Sequence, residues 1–280
     1  MADLSIGVML DSFRLPLNEA LAKAHDVGAQ GIQIYATKGE MAPENLNTAA
    51  RWELLDRIKS NGLKVSALCG DLGMGFGNRE KNPELIERSK RILELARDLE
   101  TDVVTTHIGV VPEDSAHPRY QIMQEACGKL AEFADSMQAH FAIETGPEPA
   151  ARLRKFLDSL GSRGVAVNFD PANLVMVVKD NPVEGVKILK DYIVHTHAKD
   201  GRHIYWREPE EIYGVTEAEV PLSPSFAELP LGEGDVDFPG WIAALREIGY
   251  HGFLTIEREV GPDPEADIRK AVGFLSELIG

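Results

Sequence analysis

Four residues able to hold a divalent cation each stand at or near the end of a short apolar run. They are Glu144 in "FAIETG", Asp170 in "VAVNFD", His197 in "YIVHTHA" and Glu257 in "GFLTIERE". A fold that gathers these run ends puts three carboxylates and one imidazole in a small volume. Carboxylates crowded together repel one another and take up protons. A divalent cation removes that conflict, and an oxygen-rich set with one nitrogen suits Mn²⁺, Mg²⁺, Co²⁺ or Zn²⁺ better than copper. His107 closes a further run, "DVVTTHIG", and Asn173 lies three positions beyond Asp170. Lys199 and Asp200 follow His197 almost at once. Side chains alternate along a strand, so His195 and His197 share one face, with His195 a layer deeper, where it would support the ligands from behind or simply pack.

The elements that must position these groups alternate down the chain. Strand-like runs fall at 4–10, 31–36, 64–70, 102–109, 140–146, 165–170, 192–198 and 252–259, rich in Val, Ile and Thr. Amphipathic helical segments lie between them: 17–28, 48–62, 82–100, 119–138, 149–161, 182–190 and 238–249, with 263–280 last. Asn82 and Pro83 read as an N-cap and a first helical residue. Eight strand–helix units in strict alternation argue for parallel strands joined by right-handed crossovers. At 280 residues the simplest solution is an α/β protein with a single-domain (β/α)8 TIM barrel over 1–280. An open doubly wound sheet is the competing arrangement. It calls for a glycine-rich phosphate turn after its first strand, and "LDSFRLPL" has none.

In such a barrel the C-terminal strand ends form the active site. Residues 201–237 make an extended loop after strand seven, on that same face. Loops of that length are uncommon and often functional, so this one is expected to be a substrate-covering lid or an interface arm. The net charge of −16 and pI near 4.9 disfavour binding to nucleic acid or to an anionic membrane surface. Cys69 and Cys127 form no CxxC pair. That usage, with no basic leader region in "MADLSIGVML" and no long apolar run, leads us to expect a cytoplasmic protein.

The set "FAIETG", "VNFDPAN", "HTHAKDG", "LGEGDVDF" and "GFLTIERE" resembles, in the same order, the sugar phosphate isomerase/epimerase family of xylose isomerase-like TIM barrels. The resemblance spans essentially the whole chain. It implies one divalent metal ion held by Glu144, Asp170, His197 and Glu257, in agreement with the reading above. Asn173 stands where the related multi-metal endonucleases and the ketose 3-epimerases carry histidine, so close kinship with either is not expected.

The resemblance also implies isomerisation or epimerisation of a small ketose, polyol-derived or keto-inositol substrate. The cation would polarise the substrate carbonyl and acidify the neighbouring C–H. Glu144 and Glu257 are then the catalytic pair, moving a proton from one face to the other through an enediolate. His107, Lys199, Arg202 and Asn173 are candidate substrate-binding residues. The simpler alternatives are a structural His107, a turn at Lys199–Asp200 and a rim ion pair between Arg258 and Glu259. Phe13 and Trp206 could stack on a sugar but fit packing better. Two other activities share these residues: a dehydratase or lyase on a keto-inositol-like substrate, and a non-catalytic sugar-binding barrel. Barrels of this family often pair, so a homodimer is an expectation.

Overall fold

The structure is a computed structural model that describes residues 4–217 and 223–280. In chain order it runs β1 (Ser5–Met9), α1 (Leu17–Asp26), β2 (Gly31–Tyr35), α2 (Thr48–Ser60), β3 (Lys64–Cys69), α3 (Asn82–Asp98), β4 (Val103–Thr106) and α4 (Pro118–Ser136). It continues with β5 (His140–Glu144), α5 (Ala150–Leu160), β6 (Val165–Phe169), a single turn α6 (Pro171–Asn173) and α7 (Pro182–Leu189). The last part holds β7 (Ile193–Ala198), β8 (Asp200–His203), α8 (Pro209–Ile212), β9 (Phe226–Leu229), α9 (Phe238–Glu247), β10 (Phe253–Ile256) and α10 (Pro264–Ile279). Eight parallel strands close into a barrel in the order β1–β10–β7–β6–β5–β4–β3–β2. The expected single-domain barrel is therefore present, with β10 as its eighth strand.

Period-2 alternation explains why these runs are strands. Phe141, Ile143, Val165, Val167, Phe169, Leu254 and Ile256 are buried in one core cluster with Leu153, Phe156 and Leu157 of α5 and Trp241 and Leu245 of α9. Burying each such side chain contributes about 1.5–3 kcal/mol. The intervening residues face the barrel axis. Small apolar ones, Ala67, Ala142 and Ala166 with Val103, form a separate cluster inside. Polar ones, Gln33, Thr105, Asn168, His195, His197 and Thr255, are also fully buried.

Two register shifts break the ladder. One lies at Ile32/Gln33 against β3, and the other at Val167/Asn168 against β7. The second skips Val194 and sets His195 opposite Asn168. An extra residue in a strand re-aims the side chains beyond it.

Several helix starts are capped by side chains, for example Asn47 on the Ala50 amide, Asn181 on Val183 and Asp263 on Ala266. Asn82 departs from expectation. It is the first helical residue, and its side-chain amide donates to the Phe76 carbonyl (3.0 Å), so it caps nothing. Among the described residues no helix is long and apolar enough to cross a membrane.

The segment 201–237 is more ordered than a plain loop. β8 and β9 pair antiparallel, with Asp200 opposite Leu229 and His203 opposite Phe226, and α8 follows β8. Residues 218–222 of this segment lie outside the described residues. Its neck is held by Asp200, whose carboxylate accepts from the amides of Gly201, Gly232, Gly234 and Val236 at 2.8–3.2 Å. A Cβ at position 234 would collide with that carboxylate, which explains the glycine there.

Candidate metal centre and active site

β5, β6, β7 and β10 deliver Glu144, Asp170, His197 and Glu257 to the C-terminal mouth of the barrel. All four are buried, and one ligand atom from each lies within 4.8 Å of the others. His197 Nδ1 stands 3.5 Å from Glu144 Oε1, 3.6 Å from Asp170 Oδ2 and 3.3 Å from Glu257 Oε2. Asp170 Oδ1 accepts from the Asn173 amide, as an N-cap of α6, but Oδ2 is buried with no hydrogen-bond partner. An orphaned carboxylate oxygen, facing three other ligand-type atoms, is what a cation site leaves when its hard-oxygen donors have nothing else to bond. The residues present therefore fit a divalent ion.

Supporting groups fix the donors. Gln33 Nε2 donates to Thr105 Oγ1 (2.8 Å), which leaves Gln33 Oε1 to accept from His197 Nε2 (2.9 Å). Nδ1 is then the nitrogen turned to the carboxylates, the arrangement by which outer groups set a metal-binding imidazole. Asn168 Nδ2 donates to Glu144 Oε2 and Asn173 Nδ2 to Glu144 Oε1, each at 3.0 Å. The Asn168 amide nitrogen also lies 3.2 and 3.4 Å from the His197 ring nitrogens. Beside Glu144, Gly146 closes on Asn173. A Cβ there would lie 2.6 Å from that of Asn173, on a backbone with φ of +144° that only glycine adopts freely.

Charge balance follows from contact. Burial opposes the charged form of His197, but Glu257 and Glu144 outweigh it and raise its pKa well above the ordinary value. Burial also opposes ionisation of Glu257, yet His197 and Lys199 hold it well below the usual carboxylate range. Glu144 is lowered in the same way by His107 and His197. Lys199 is buried and donates to Glu257 Oε2 at 2.9 Å and to Glu259, with Glu228 Oε2 4.0 Å away. His107 lies 3.2 Å from Asp71 Oδ2 through Nδ1 and 3.5 Å from Glu144 Oε1 through Nε2. Burial works against its charge, but Glu144 and the Asp71 bond push it up to about 9.

A cavity of about 220 Å³ opens above this cluster, and His107, Asn173 and Lys199 line it. Three of the four expected substrate contacts are thus at the mouth. Arg202 is not. Alternation along β8 puts it on the same side as Asp200, toward the 232–236 turn, where it bonds Asp235 Oδ1 at 3.1 Å and stays half exposed. The expected Arg258–Glu259 pair is also absent. Arg258 bonds Glu228 (2.5 Å) and Asp267 (2.8 Å), while Glu259 turns to Lys199. Lys199–Asp200 is no simple turn, since Lys199 enters the cavity and Asp200 holds the insertion's neck. Phe13 is buried core and Trp206 is half exposed on the insertion; neither lines the cavity.

Sequence reasoning passed over several residues. Gln33 and Asn168 interrupt apolar strands at inward positions, a signal that was readable. Asp71, Tyr213 and Glu228 also line the cavity but come from a loop and from the insertion, where no periodicity points to them.

The xylose isomerase-like TIM barrel family pattern matches residues 21–278, and the chain belongs to that family. A protein of Escherichia coli strain K12 named putative L-ribulose-5-phosphate 3-epimerase SgbU is 24% identical over 267 residues, 91% of this chain and 88% of its own. The crystal structure of a xylose isomerase domain protein from Planctomyces limnophilus superposes with a TM-score of 0.79 at 25% identity, covering 99% of this chain and 96% of that one. The apo 3-keto-D-glucoside 4-epimerase YcjR from E. coli gives a TM-score of 0.74 over 98% of this chain and 100% of its own; at 18% identity it shows a shared fold alone.

Proposed function

We propose that this chain is a divalent-metal-dependent isomerase or epimerase of a small ketose, polyol-derived or keto-inositol substrate. One observation carries the reading: the convergence of Glu144, Asp170, His197 and Glu257 on one buried point, with Asp170 Oδ2 left without a partner. Bound there, Mn²⁺, Mg²⁺, Co²⁺ or Zn²⁺ would supply Lewis acidity to a substrate carbonyl. Family membership and the likeness to a named epimerase support the reaction class.

The protein's own groups then move the proton. Glu144 and Glu257 arrive from strands separated around the barrel by β6 and β7, so they approach a substrate from two directions. Both oxygens of Glu144 already accept side-chain amides, which stabilises its charged form and weakens it as a base. Glu257 accepts from Lys199 on Oε2 only; among the described residues Oε1 has no donor. Glu257 Oε1 is thus the oxygen free to take the proton beside the carbonyl; to deliver one from the other side, Glu144 first takes a proton from the His107 imidazolium, whose Nε2 lies 3.5 Å from Glu144 Oε1. Lys199 keeps Glu257 charged, and His107 donates to a substrate oxygen.

The test has two parts. Elemental analysis should find a divalent ion in equimolar amount, lost in Glu144→Gln and in His197→Ala. Ketoses and keto-inositols incubated with the protein in D₂O should gain deuterium next to the carbonyl without losing water. Loss of water moves the reaction to a lyase. A bound metal with no exchange on any such substrate sinks the isomerase reading in favour of a binding barrel.

A further inference from the structure

The barrel has a second opening, at the end away from the candidate metal centre. A cavity of about 600 Å³ enters there, within the roughly 300–1,000 Å³ of a usual small-molecule site. Leu63, Val65, Leu99, Val103, Val194 and Phe253 give it apolar walls, and Ser66, Thr101 and His195 border it as well. The end of a barrel opposite the active site ordinarily serves stability. Two irregularities set this one apart. In the β2–β3 ladder Ile32 faces Val65 and Gln33 faces Ala67, so Ser66 is the extra residue. In the β6–β7 ladder the extra residue is Val194. These are the barrel's two register shifts among the described residues, and both extra residues line this cavity. Such bulges re-aim side chains and concentrate at barrel rims and beside functional sites. The first brings Ser66 Oγ to 3.3 Å from His195 Nε2.

The donors inside are already spent. Ser66 Oγ donates to the Ile32 carbonyl (3.0 Å) and Thr101 Oγ1 to the Ser66 carbonyl (3.1 Å). His195 Nε2 accepts from Thr255 Oγ1 (2.9 Å). The walls therefore offer an occupant an acceptor, Ser66 Oγ, in an apolar surface, and the occupant has to bring the donor. Around them Lys59 and Lys64 stand against Glu100 and Asp102, with Lys59 bonded to Glu100 at 2.7 Å, so neither sign of charge is selected.

From His195 the contacts run up the axis. Its Nδ1 donates to Asn168 Oδ1, and the amide nitrogen of Asn168 donates to Glu144 Oε2 and lies 3.2 Å from His197 Nε2. One side chain thus touches His195 below and two of the candidate metal ligands above. Contiguous packed and hydrogen-bonded groups are a route for coupling between sites. We propose that the N-terminal cavity is an effector site for a neutral ring compound with one hydroxyl or N–H donor, a phenol or an indole, and that its occupancy is felt at the metal centre through His195 and Asn168. The site stands apart from the isomerase reading; the coupling rests on the metal part of that reading.

The probes are indole and benzofuran, rings of near-equal size of which only indole has a donor. Calorimetric titration should find one indole per chain, bound about fivefold or more tighter than benzofuran, the scale of one hydrogen bond. Ser66→Ala removes the acceptor and keeps the walls, and should bring the two probes within about twofold. Val194→Phe fills the cavity from a half-buried position and should weaken indole by about tenfold or more. In metal-free protein carrying ¹⁵N-labelled histidine, with ring signals assigned by His195→Phe and His107→Gln, indole should shift His195 and leave His107 at the mouth unmoved. Saturating Mn²⁺ should change indole affinity by about fivefold or more, since coupling between two sites is reciprocal. A shift at His107 in place of His195, equal binding of the two probes, or binding undiminished in Val194→Phe overturns the site. Equal indole affinity with and without Mn²⁺ overturns the coupling where elemental analysis finds a bound ion. Where it finds none, the metal reading fails instead, and the His195 shift leaves the site standing.

Discussion

His195 and His197 sit on one strand, with ring centroids 5.8 Å apart, yet the two layers of the barrel they occupy treat them oppositely. The upper layer surrounds His197 with Glu144, Asp170 and Glu257 and drives its pKa up. The lower layer offers His195 only neutral partners: it donates from Nδ1 to Asn168 Oδ1 (2.8 Å) and accepts at Nε2 from Thr255 Oγ1 (2.9 Å). Burial and the neighbouring His197 drive its pKa well down. The same imidazole is poised for a cation in one layer and fixed as a neutral hydrogen-bond bridge in the next. What separates them is which partners the alternation and the β7 register shift provide.

The sharpest way to break this contrast is at the upper layer. Glu144→Gln keeps the shape and removes the charge; turnover should fall by about 10²–10⁴-fold, read as deuterium incorporation into substrate. His197→Ala takes away the one nitrogen donor, and metal affinity measured by competitive chelation should drop by about 100-fold or more. Gln33→Ala leaves the donors in place but frees the imidazole to turn, with an expected loss of about 10–100-fold in metal affinity. In the lower layer, His195→Phe should leave metal affinity within about tenfold. It should instead cost stability, about 1–3 kcal/mol by denaturant titration, because Asn168 and Thr255 each lose a buried partner. A metal defect in His195→Phe as large as that of His197→Ala would erase the distinction between the layers.

The same comparison can be made between two buried glutamates. Glu144 has imidazoles beside it and is held low. Glu148, equally buried, has a backbone donor at Val111 (3.0 Å) and a more distant Arg152, and burial pushes it up to about 7. Its folded form binds the proton more tightly than the unfolded chain does. That stability is complete below the ordinary glutamate value of 4.5 and is lost as pH rises through about 7. Thermal midpoints of the wild type should therefore decline by a few degrees from pH 5 to pH 8, and Glu148→Gln should flatten that decline. An equal slope in both proteins would show that Glu148 titrates normally.

Much of this was readable in the sequence because parallel strands buried on both faces impose a simple rule. A charged, amide or imidazole side chain in an apolar run has to face the axis or the mouth, whereas a threonine such as Thr196 can turn outward and bond a backbone carbonyl, so "FAIETG" and "VHTHA" expose their functional positions directly. The same rule covers Gln33 in "GIQIY" and Asn168 in "VAVNF", whose value emerges only when the register shows what they touch. Asp71, Tyr213 and Glu228 obey no period. They reach the site through a loop after β3 and a ribbon that folds back over the mouth, and nothing local in their sequence records that return. Arg202 fails for the complementary reason: it is near His197 along the chain, but β8 has left the barrel and turns it toward the insertion's own neck.

That neck has an evolutionary side. Asp200 gathers amides from both ends of the insertion, so the segment leaves and rejoins the barrel at a single pinned point. Lengthening a flexible loop whose ends are already held together is cheap, about 0.6 kcal/mol for each doubling. The arm that supplies Tyr213 and Glu228 to the site can thus be exchanged or resized without moving Lys199 or His197. One carboxylate makes the reaction chemistry and the shape of its antechamber separately inheritable.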